Sequence, residues 1–305
     1  MTQSFFSRLF GAGADRDACG EVLRIPGDLR DPPAVAVVQG SRPGDIWAAL
    51  FVLRNAALTW PSAELVLLVR EEDREIVQLS SMTPATWCIP PGGRIPDAPG
   101  LPGGALAILA SAGTDHGRCD PLRIGGALVR AALGGTPSAN VRVLPGGRAM
   151  PESIHFLCEQ IGMQADRSWR PSALKDDVAT ARSILSPSTG APTPYIVGGA
   201  RAIRVLERAG AEIPLKVIPA SGRESPLASS GRAVQAAIVA GATVVAADAP
   251  WLWAEAIALG VPAAGLDRSG SFPLWEGPPP SRNDSDFVAS WTEQLRIGLG
   301  AAASR

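Results

Sequence analysis

The sequence predicts an α/β protein in which strands and helices alternate in two successive series, each forming a doubly wound parallel sheet. Short continuous apolar runs, such as 34–38 and 105–110, are typical of strands that are buried on both faces. Segments with apolar residues at helical spacing separate these runs, and parallel strands need such crossover helices. The 305 residues exceed the size at which a single core usually stops growing, which favours two domains.

Composition excludes several classes of function. The net charge of −1, with 19% charged residues, gives no basic footprint for nucleic acid. The four cysteines are widely separated and only two histidines are present, so neither a zinc site nor a disulfide framework is predicted. No apolar run reaches the roughly 18 residues that span a bilayer, and the N-terminus lacks the apolar core of a signal peptide. We therefore expect a cytoplasmic protein with no metal and no bound cofactor.

The first βαβ unit, residues 35–69, contains the leading site candidate. A strand at 34–38 is followed by a turn with two glycines, a helix over 46–58 that ends before Trp60-Pro61, and a second strand at 64–69. Asp45 lies between the first strand and the helix. Open α/β sheets bind ligands at the carboxyl ends of their strands, so Asp45 is placed to contact a ligand. A carboxylate at this position is equally typical of a helix N-cap.

The later pattern repeats this alternation and predicts the remaining elements. Helices are expected at 70–81, 122–133, 152–161, 172–185, 200–209, 231–240, 251–259 and 286–299. Further strands are expected at 86–89, 140–144, 195–197, 215–218, 242–247 and 261–266. Prolines crowd the segment 168–194, which we interpret as the crossing between the two halves.

These elements predict three parts. Residues 1–33 form an N-terminal extension, 34–185 a first Rossmann-like domain, and 186–305 a second one with a closing helix. Within the extension, residues 5–10 place three phenylalanines and a leucine beside Arg8. That segment predicts either a weak peripheral contact with the inner face of the inner membrane, or else a frayed terminus or a helix on the protein body.

Several motifs, in the same order along the chain, resemble glycosyltransferase family 9, the ADP-heptose:lipopolysaccharide heptosyltransferases. RPGDIWAALFVLR at 42–54 followed by WPSAELVLLVR at 60–70 resembles the opening of that family. ESIHFLCEQIG at 152–162 is similar to the helix that closes its N-terminal domain, and 233–266 resembles its nucleotide-sugar segment. The resemblance implies a GT-B fold, with an acceptor-side and a nucleotide-sugar-side Rossmann-like domain facing each other across a cleft.

The resemblance also implies a reaction in lipopolysaccharide biosynthesis. A sugar would pass from a nucleotide-sugar donor, such as an ADP-heptose, to a glycan or lipid-linked acceptor on the cytoplasmic face of a membrane. An inverting transfer needs a base for the acceptor hydroxyl, and Asp45 is the candidate. Gly44, beside it, is expected to lie near the donor.

Donor-binding candidates come from the second half. Gly198 and Gly199, with Arg201 in the first turn of the following helix, predict a diphosphate cradle, or else a plain strand-to-helix connection of small residues. AEAIALGVP at 254–262 is similar to a motif of other GT-B glycosyltransferases whose glutamate holds the ribose hydroxyls. Glu255 is therefore either a ribose ligand or an exposed glutamate favoured by the helix dipole. Asp248, after a buried strand, is a candidate for the same place or for the next helix's N-cap.

One departure from the family motif opens a second hypothesis. The family's Asp-Ser/Thr-Gly-Pro-x-His is DAPWLWA at 248–254 here, without the histidine. Trp251 and Trp253 either stack on the donor or plug a pocket that has lost its ligand. A working transferase predicts that Asp45 faces an open cleft with Asp248 and Glu255 opposite. A catalytically inactive relative, acting as a binding or scaffold subunit, predicts that the segment Trp251–Trp253 fills the pocket and that Asp45 caps its helix without facing solvent.

Overall fold

The protein divides into two compact α/β units, each built on its own parallel sheet. The computed structural model describes residues 31–40, 44–89, 101–110, 127–133, 139, 141–143, 153–164, 166–185, 194–268 and 279–303. The first unit comprises Met1–Arg74 and Met82–Trp169, and the second comprises Glu75–Ser81 and Arg170–Arg305. The predicted extension, including 5–10, lies outside the described residues except for its last three positions.

The first sheet has six parallel strands in the Rossmann order β3-β2-β1-β4-β5-β6. The strands are β1 Ala34–Gln39, β2 Glu64–Arg70, β3 Ala85–Ile89, β4 Ala105–Ala110, β5 Ala127–Leu133 and β6 Val141–Val143. The order reverses between β1 and β4, which pair from Val35↔Leu106 to Gln39↔Ala110. The predicted parallel sheet is confirmed, and its switch point lies beside the turn that follows β1.

Helix α1, Asp45–Thr59, connects β1 to β2 and is buried around most of its circumference. Its apolar residues keep it in the core on several faces, as expected of a helix without a polar side. The chain leaves it at Trp60, before Pro61. A 3₁₀ helix spans Glu71–Ser80, and α2 spans Ser153–Gln160 before Gly162, whose φ of 83° suits the end of a helix.

The predicted helix at 122–133 is wrong. Residues Ala127–Leu133 form strand β5, which is parallel to β4 and to β6. The composition ALVRAAL favours a helix by intrinsic propensity. The segment pairs with β4 along most of its length and with β6 at Ala131–Leu133, and such tertiary context overrides propensity.

The second sheet has four parallel strands in the order β10-β9-β7-β8. They are β7 Tyr195–Gly198, β8 Lys216–Pro219, β9 Val244–Ala247 and β10 Ala263–Gly265. The helices of this unit are α3 Lys175–Leu185, α4 Ala200–Arg208, α5 Arg232–Ala240, α6 Pro250–Ala258 and α7 Asp284–Ala303. The switch point of this sheet lies between β7 and β9, which pair in parallel.

Two apolar cores cover the faces of the second sheet. Trp253 and Leu252 belong to one core, while Phe287 and Trp291 of α7 belong to the other. Ala181 of α3 lies in the first of these cores. Segment 170–185 therefore belongs with the second sheet, whereas the sequence pattern predicts a domain boundary after residue 185.

Candidate functional site

The predicted site residues follow the carboxyl ends of strands in the two sheets, except for Trp251, Trp253 and Glu255, which lie within helix α6. Gly44 and Asp45 follow β1 in the first unit. In the second unit the turn after β7 and the residue after β9 lie side by side, because those strands are neighbours. Ligands of open α/β sheets bind at such switch points, so each unit has one candidate position.

The turn after β1 gives Asp45 a fixed place in the first turn of α1. Gly44 is the N-cap, with φ 94° and ψ −10°, a left-handed conformation that glycine adopts without steric cost. Its carbonyl accepts a hydrogen bond from Trp47 N at 3.1 Å. The interpretation of Asp45 as the N-cap is thus wrong, since Gly44 holds that position. The Asp45 residue is 1% exposed.

A polar network that the sequence pattern does not predict joins the ends of β1 and β2. The Gln39 amide donates to Asp73 Oδ2 at 2.6 Å, and its oxygen accepts from Arg70 N at 2.9 Å. Arg70 also donates to Asp73 Oδ2 at 3.4 Å. Gln39 and Asp73 are 2% and 4% exposed. The sequence signal for this network was that Gln39 and Arg70 each end an apolar strand, because parallel strands bring their carboxyl ends to one edge of the sheet.

In the second unit the turn after β7 holds the carboxylate of Asp248. Asp248 Oδ2 accepts hydrogen bonds from Arg201 N at 2.7 Å and from Ala202 N at 3.3 Å. These two amides belong to the first turn of α4, whose N-cap is Gly199. Asp248 therefore caps α4 from a neighbouring strand, and the Arg201 residue itself is exposed.

Both glycines of this turn are closely packed. A Cβ on Gly199 would lie 1.9 Å from Asp248 Oδ1, and one on Gly198 would lie 2.6 Å from the Ile203 side chain. The φ of Gly199 is −69°, a value open to any residue. Glycine is therefore needed at 199 for space rather than for backbone conformation.

The segment after β9 is largely interior. Trp253 is 1% exposed, and its ring lies on β10, where a Cβ on Gly265 would be 2.8 Å from Cε3. Trp251, two residues earlier, is only half-buried. The burial of Trp253 agrees with the prediction that these tryptophans fill a pocket. For Trp251 the alternative, stacking on the donor, stays a prediction.

Glu255 is fully buried, so the interpretation of an exposed first-turn glutamate is wrong. Its Oε2 lies 3.2 Å from Arg232 Nη2 of α5. Arg232 Nη1 also donates to Gln235 Oε1 at 2.6 Å, and the Gln235 amide donates to the carbonyls of Leu227 and Ser230. This network links α5 to α6. Whether Glu255 binds ribose stays a prediction.

Acidic groups gather near the start of α5. The Ala233 amide donates to Glu75 Oε2 at 3.4 Å. Desolvation raises the pKa of Asp177, with smaller contributions from Asp176 and Glu75 in the same direction. Asp176 and Glu75 therefore act on Asp177 in the second unit, whereas in the first unit Asp73 is paired with Arg70.

The described part of the chain offers few other groups that could bind a metal or act as a nucleophile. Among the described residues there is no cluster of three or more histidine, cysteine, aspartate or glutamate side chains that could hold a metal. Burial raises the pKa of the free Cys158 thiol to about 12, so it is protonated at neutral pH. No described helix has both the length and the apolarity needed to cross a membrane.

The chain is similar to known proteins in its structure but not detectably in its sequence. No protein-family model matches the sequence, and no curated protein matches it. The fold is similar to that of ADP-heptose lipopolysaccharide heptosyltransferase II of Escherichia coli, with a TM-score of 0.54, 13% identity, and 87% and 99% of the two chains covered. It is also similar to a glycosyltransferase of family 9 from Veillonella parvula, with a TM-score of 0.55, 12% identity, and 91% and 100% covered.

The chain has a GT-B fold. The match extends over nearly the whole length of both solved structures, so both Rossmann-like units take part in it. At a sequence identity of 12–13%, the likeness establishes the fold but does not assign the residues of the site. The roles of Gly44, Asp45, Gly198, Arg201 and the other candidates therefore have to be argued from their own contacts.

Proposed function

We propose that the chain is a glycosyltransferase of the heptosyltransferase type. It transfers a sugar from a nucleotide-sugar donor, such as an ADP-heptose, to a hydroxyl group of a glycan or lipid-linked acceptor at the cytoplasmic face of a membrane. The likeness in fold to two glycosyltransferases supports the reaction class. The observation that carries the proposal is the position of Asp45 at the switch point of the Rossmann-ordered first sheet.

In this proposal Asp45 is the general base. Its carboxylate takes the proton of the acceptor hydroxyl while that oxygen attacks the anomeric carbon and the nucleotide diphosphate leaves. The left-handed Gly44 fixes the start of α1, so Asp45 is held on a rigid element. The network of Gln39, Arg70 and Asp73 fixes the adjoining strand ends.

A second candidate function is a catalytically inactive relative that acts as a binding or scaffold subunit. Two observations favour it. Asp45 and Trp253 are each only 1% exposed, and this hypothesis predicts the burial of both residues, although its prediction that Asp45 caps the helix is wrong because Gly44 is the N-cap. The family histidine is also replaced, and a buried tryptophan offers only one indole N–H in its neighbourhood.

The first experiment is calorimetric titration with ADP, UDP, GDP and their sugar conjugates, followed by a transfer assay with the donor that binds. Asp45→Asn should lower turnover by at least about 100-fold, the lower range for general-base catalysis, and leave donor affinity within a few-fold. Glu64→Gln is the matched control, because Glu64 is exposed at the amino end of β2 in the same sheet.

Each outcome decides between the candidates. Full turnover in Asp45→Asn would remove Asp45 from the role of base. Saturable binding of one nucleotide, weakened in Glu255→Ala, would support a working donor site. Binding of none of the nucleotides would favour the inactive relative, whose partners would then be sought among glycans and proteins.

A further inference from the structure

The switch point of the second sheet already contains an anion, and that anion belongs to the chain itself. In parallel α/β proteins a glycine turn followed by a helix start is the usual place for a phosphate, because free amides and the helix dipole converge there. Here the turn after β7 has that construction, with Gly198 and Gly199 before α4. The carboxylate of Asp248 lies where the phosphate would lie.

The contacts of Asp248 are those of a bound anion. Its Oδ2 accepts from the amides of Arg201 and Ala202, at 2.7 and 3.3 Å. Its Oδ1 lies 1.9 Å from the position of a Cβ on Gly199, so the absence of a side chain at 199 is what admits the carboxylate. The donors and acceptor are 47 and 46 residues apart in sequence, so the contact depends on the pairing of β7 with β9.

A second anion cannot share this place. A phosphate oxygen bonded to the same two amides would have to lie at the position of Oδ2. Anywhere nearby, it would stand within a few ångströms of a like charge, where repulsion is strong and only weakly screened in a partly buried site.

We propose that Asp248 is a built-in substitute for phosphate that excludes the diphosphate of a nucleotide from the start of α4. Gly199 is glycine to accommodate Asp248 rather than a ligand. The inference deepens the proposed function, on which it rests for the existence of a donor: the donor is held in the second unit by groups other than the α4 amides. Asp248 is thus a specificity-determining residue and not a ligand of the donor.

A double-mutant cycle tests the geometry. Gly199→Ala should lower the Tm of the native chain by several degrees, because the new Cβ collides with Oδ1 while φ at −69° remains favourable. In the Asp248→Ala background the same substitution should cost little. Gly210→Ala is the control, since Gly210 has φ 65° and open space, and its cost should be equal in both backgrounds. Equal costs of Gly199→Ala in the two backgrounds would overturn the proposal.

Titration with sodium pyrophosphate tests the exclusion. Pyrophosphate should leave the native Tm unchanged, raise that of Asp248→Ala, and bind this variant at least about tenfold more tightly than the native chain. Asp248→Asn keeps an acceptor oxygen without the charge and serves as the second variant should Asp248→Ala fold poorly. Pyrophosphate binding that is stronger in the native chain than in both variants, or that is absent from both, would overturn the proposal.

Failure of this inference can be told apart from failure of the proposed function. If the native chain binds a nucleotide sugar and Asp248→Ala abolishes that binding, the transferase stands and the exclusion is wrong. If no nucleotide sugar binds the native chain while pyrophosphate binds Asp248→Ala, the exclusion stands and the transferase is wrong.

Discussion

The turns that follow β1 and β7 occupy the same topological position in their sheets, yet each acquires its carboxylate differently. In the first unit Asp45 belongs to helix α1 itself, directly after Gly44. In the second unit the carboxylate comes from Asp248, after the neighbouring strand, and it caps α4 through two amides. Glycine precedes both helices, but φ is 94° at Gly44 and −69° at Gly199.

This difference shows that a Gly-rich strand-to-helix turn is not one kind of site. Gly44 is required by backbone conformation, and it places Asp45 in the first turn of α1. Gly199 is required because a Cβ would have no room there, since the Asp248 carboxylate occupies that space. In the proposed function the first unit contributes a carboxylate to the reaction, whereas a phosphate at the start of α4 in the second unit would have to displace one. The comparison makes the first unit the better candidate for proton transfer.

The largest effect on stability is expected for the buried Trp253 of the second unit. Trp253→Ala should reduce the free energy of unfolding by about 3–5 kcal/mol, because it removes a fully buried indole and leaves a cavity against β10. Trp251→Ala should cost clearly less, since Trp251 is only half-buried. Urea denaturation of both variants measures the two costs.

Comparable costs for the two tryptophans would contradict the assignment of Trp253 to the core. Nucleotide binding by both variants gives an independent check. Stacking on a base predicts a loss of affinity in Trp251→Ala with little change in stability. A core role for Trp253 predicts that any loss of affinity follows its loss of stability.

A second prediction tests whether Gly44 is required for its left-handed backbone conformation. Gly44→Ala should cost about 1–2 kcal/mol, since an alanine at φ 94° is strained in the left-handed region. The matched control is Gly103→Ala, where a Cβ meets nothing within 4 Å and φ is not left-handed. Because the strained cap also positions Asp45, turnover should fall more than stability predicts. A Gly44→Ala variant as stable and active as the Gly103→Ala control would contradict this account.

Sequence patterns predicted most of the architecture, because buried parallel strands and their crossover helices have strong apolar periodicity. Nearly all the predicted strands and helices are confirmed within the described residues, including β3 at Ala85–Ile89 inside a loop rich in proline and glycine. The failure at Ala127–Leu133 has a specific cause: its composition favours a helix, and only pairing with β4 and β6 makes it a strand.

The candidate site was less predictable, because its contacts join residues far apart in sequence. Asp45 could be found from its place after β1. The capping of α4 by Asp248 could not, since it requires the order β9-β7 in the sheet. The same holds for Arg232 and Glu255, which pair across α5 and α6. A pattern reveals what ends a strand, but the partner of that residue depends on which strands become neighbours.

The smallest test concerns charge, where the two units also differ. Asp73 in the first unit is paired with Arg70, whereas Asp177 in the second has a pKa raised by desolvation, by Asp176 and by Glu75. Among the described residues its buried Oδ2 has no hydrogen-bond partner. A carboxyl group whose folded pKa is raised contributes stability below its unfolded pKa, and that contribution is lost as the pH rises through the folded value.

Asp177→Asn should therefore raise the Tm at pH 7 by a small amount, and this gain should vanish as the pH falls below the unfolded pKa of aspartate, about 3.9. Asp176→Asn is the control. Asp176 is exposed and contributes less than desolvation to the shift at its neighbour, so a smaller gain is expected. Thermal unfolding between pH 3 and pH 7 measures both. A lower Tm for Asp177→Asn at pH 7 would mean that the dipole at the start of α3 stabilises this carboxylate by more than burial destabilises it.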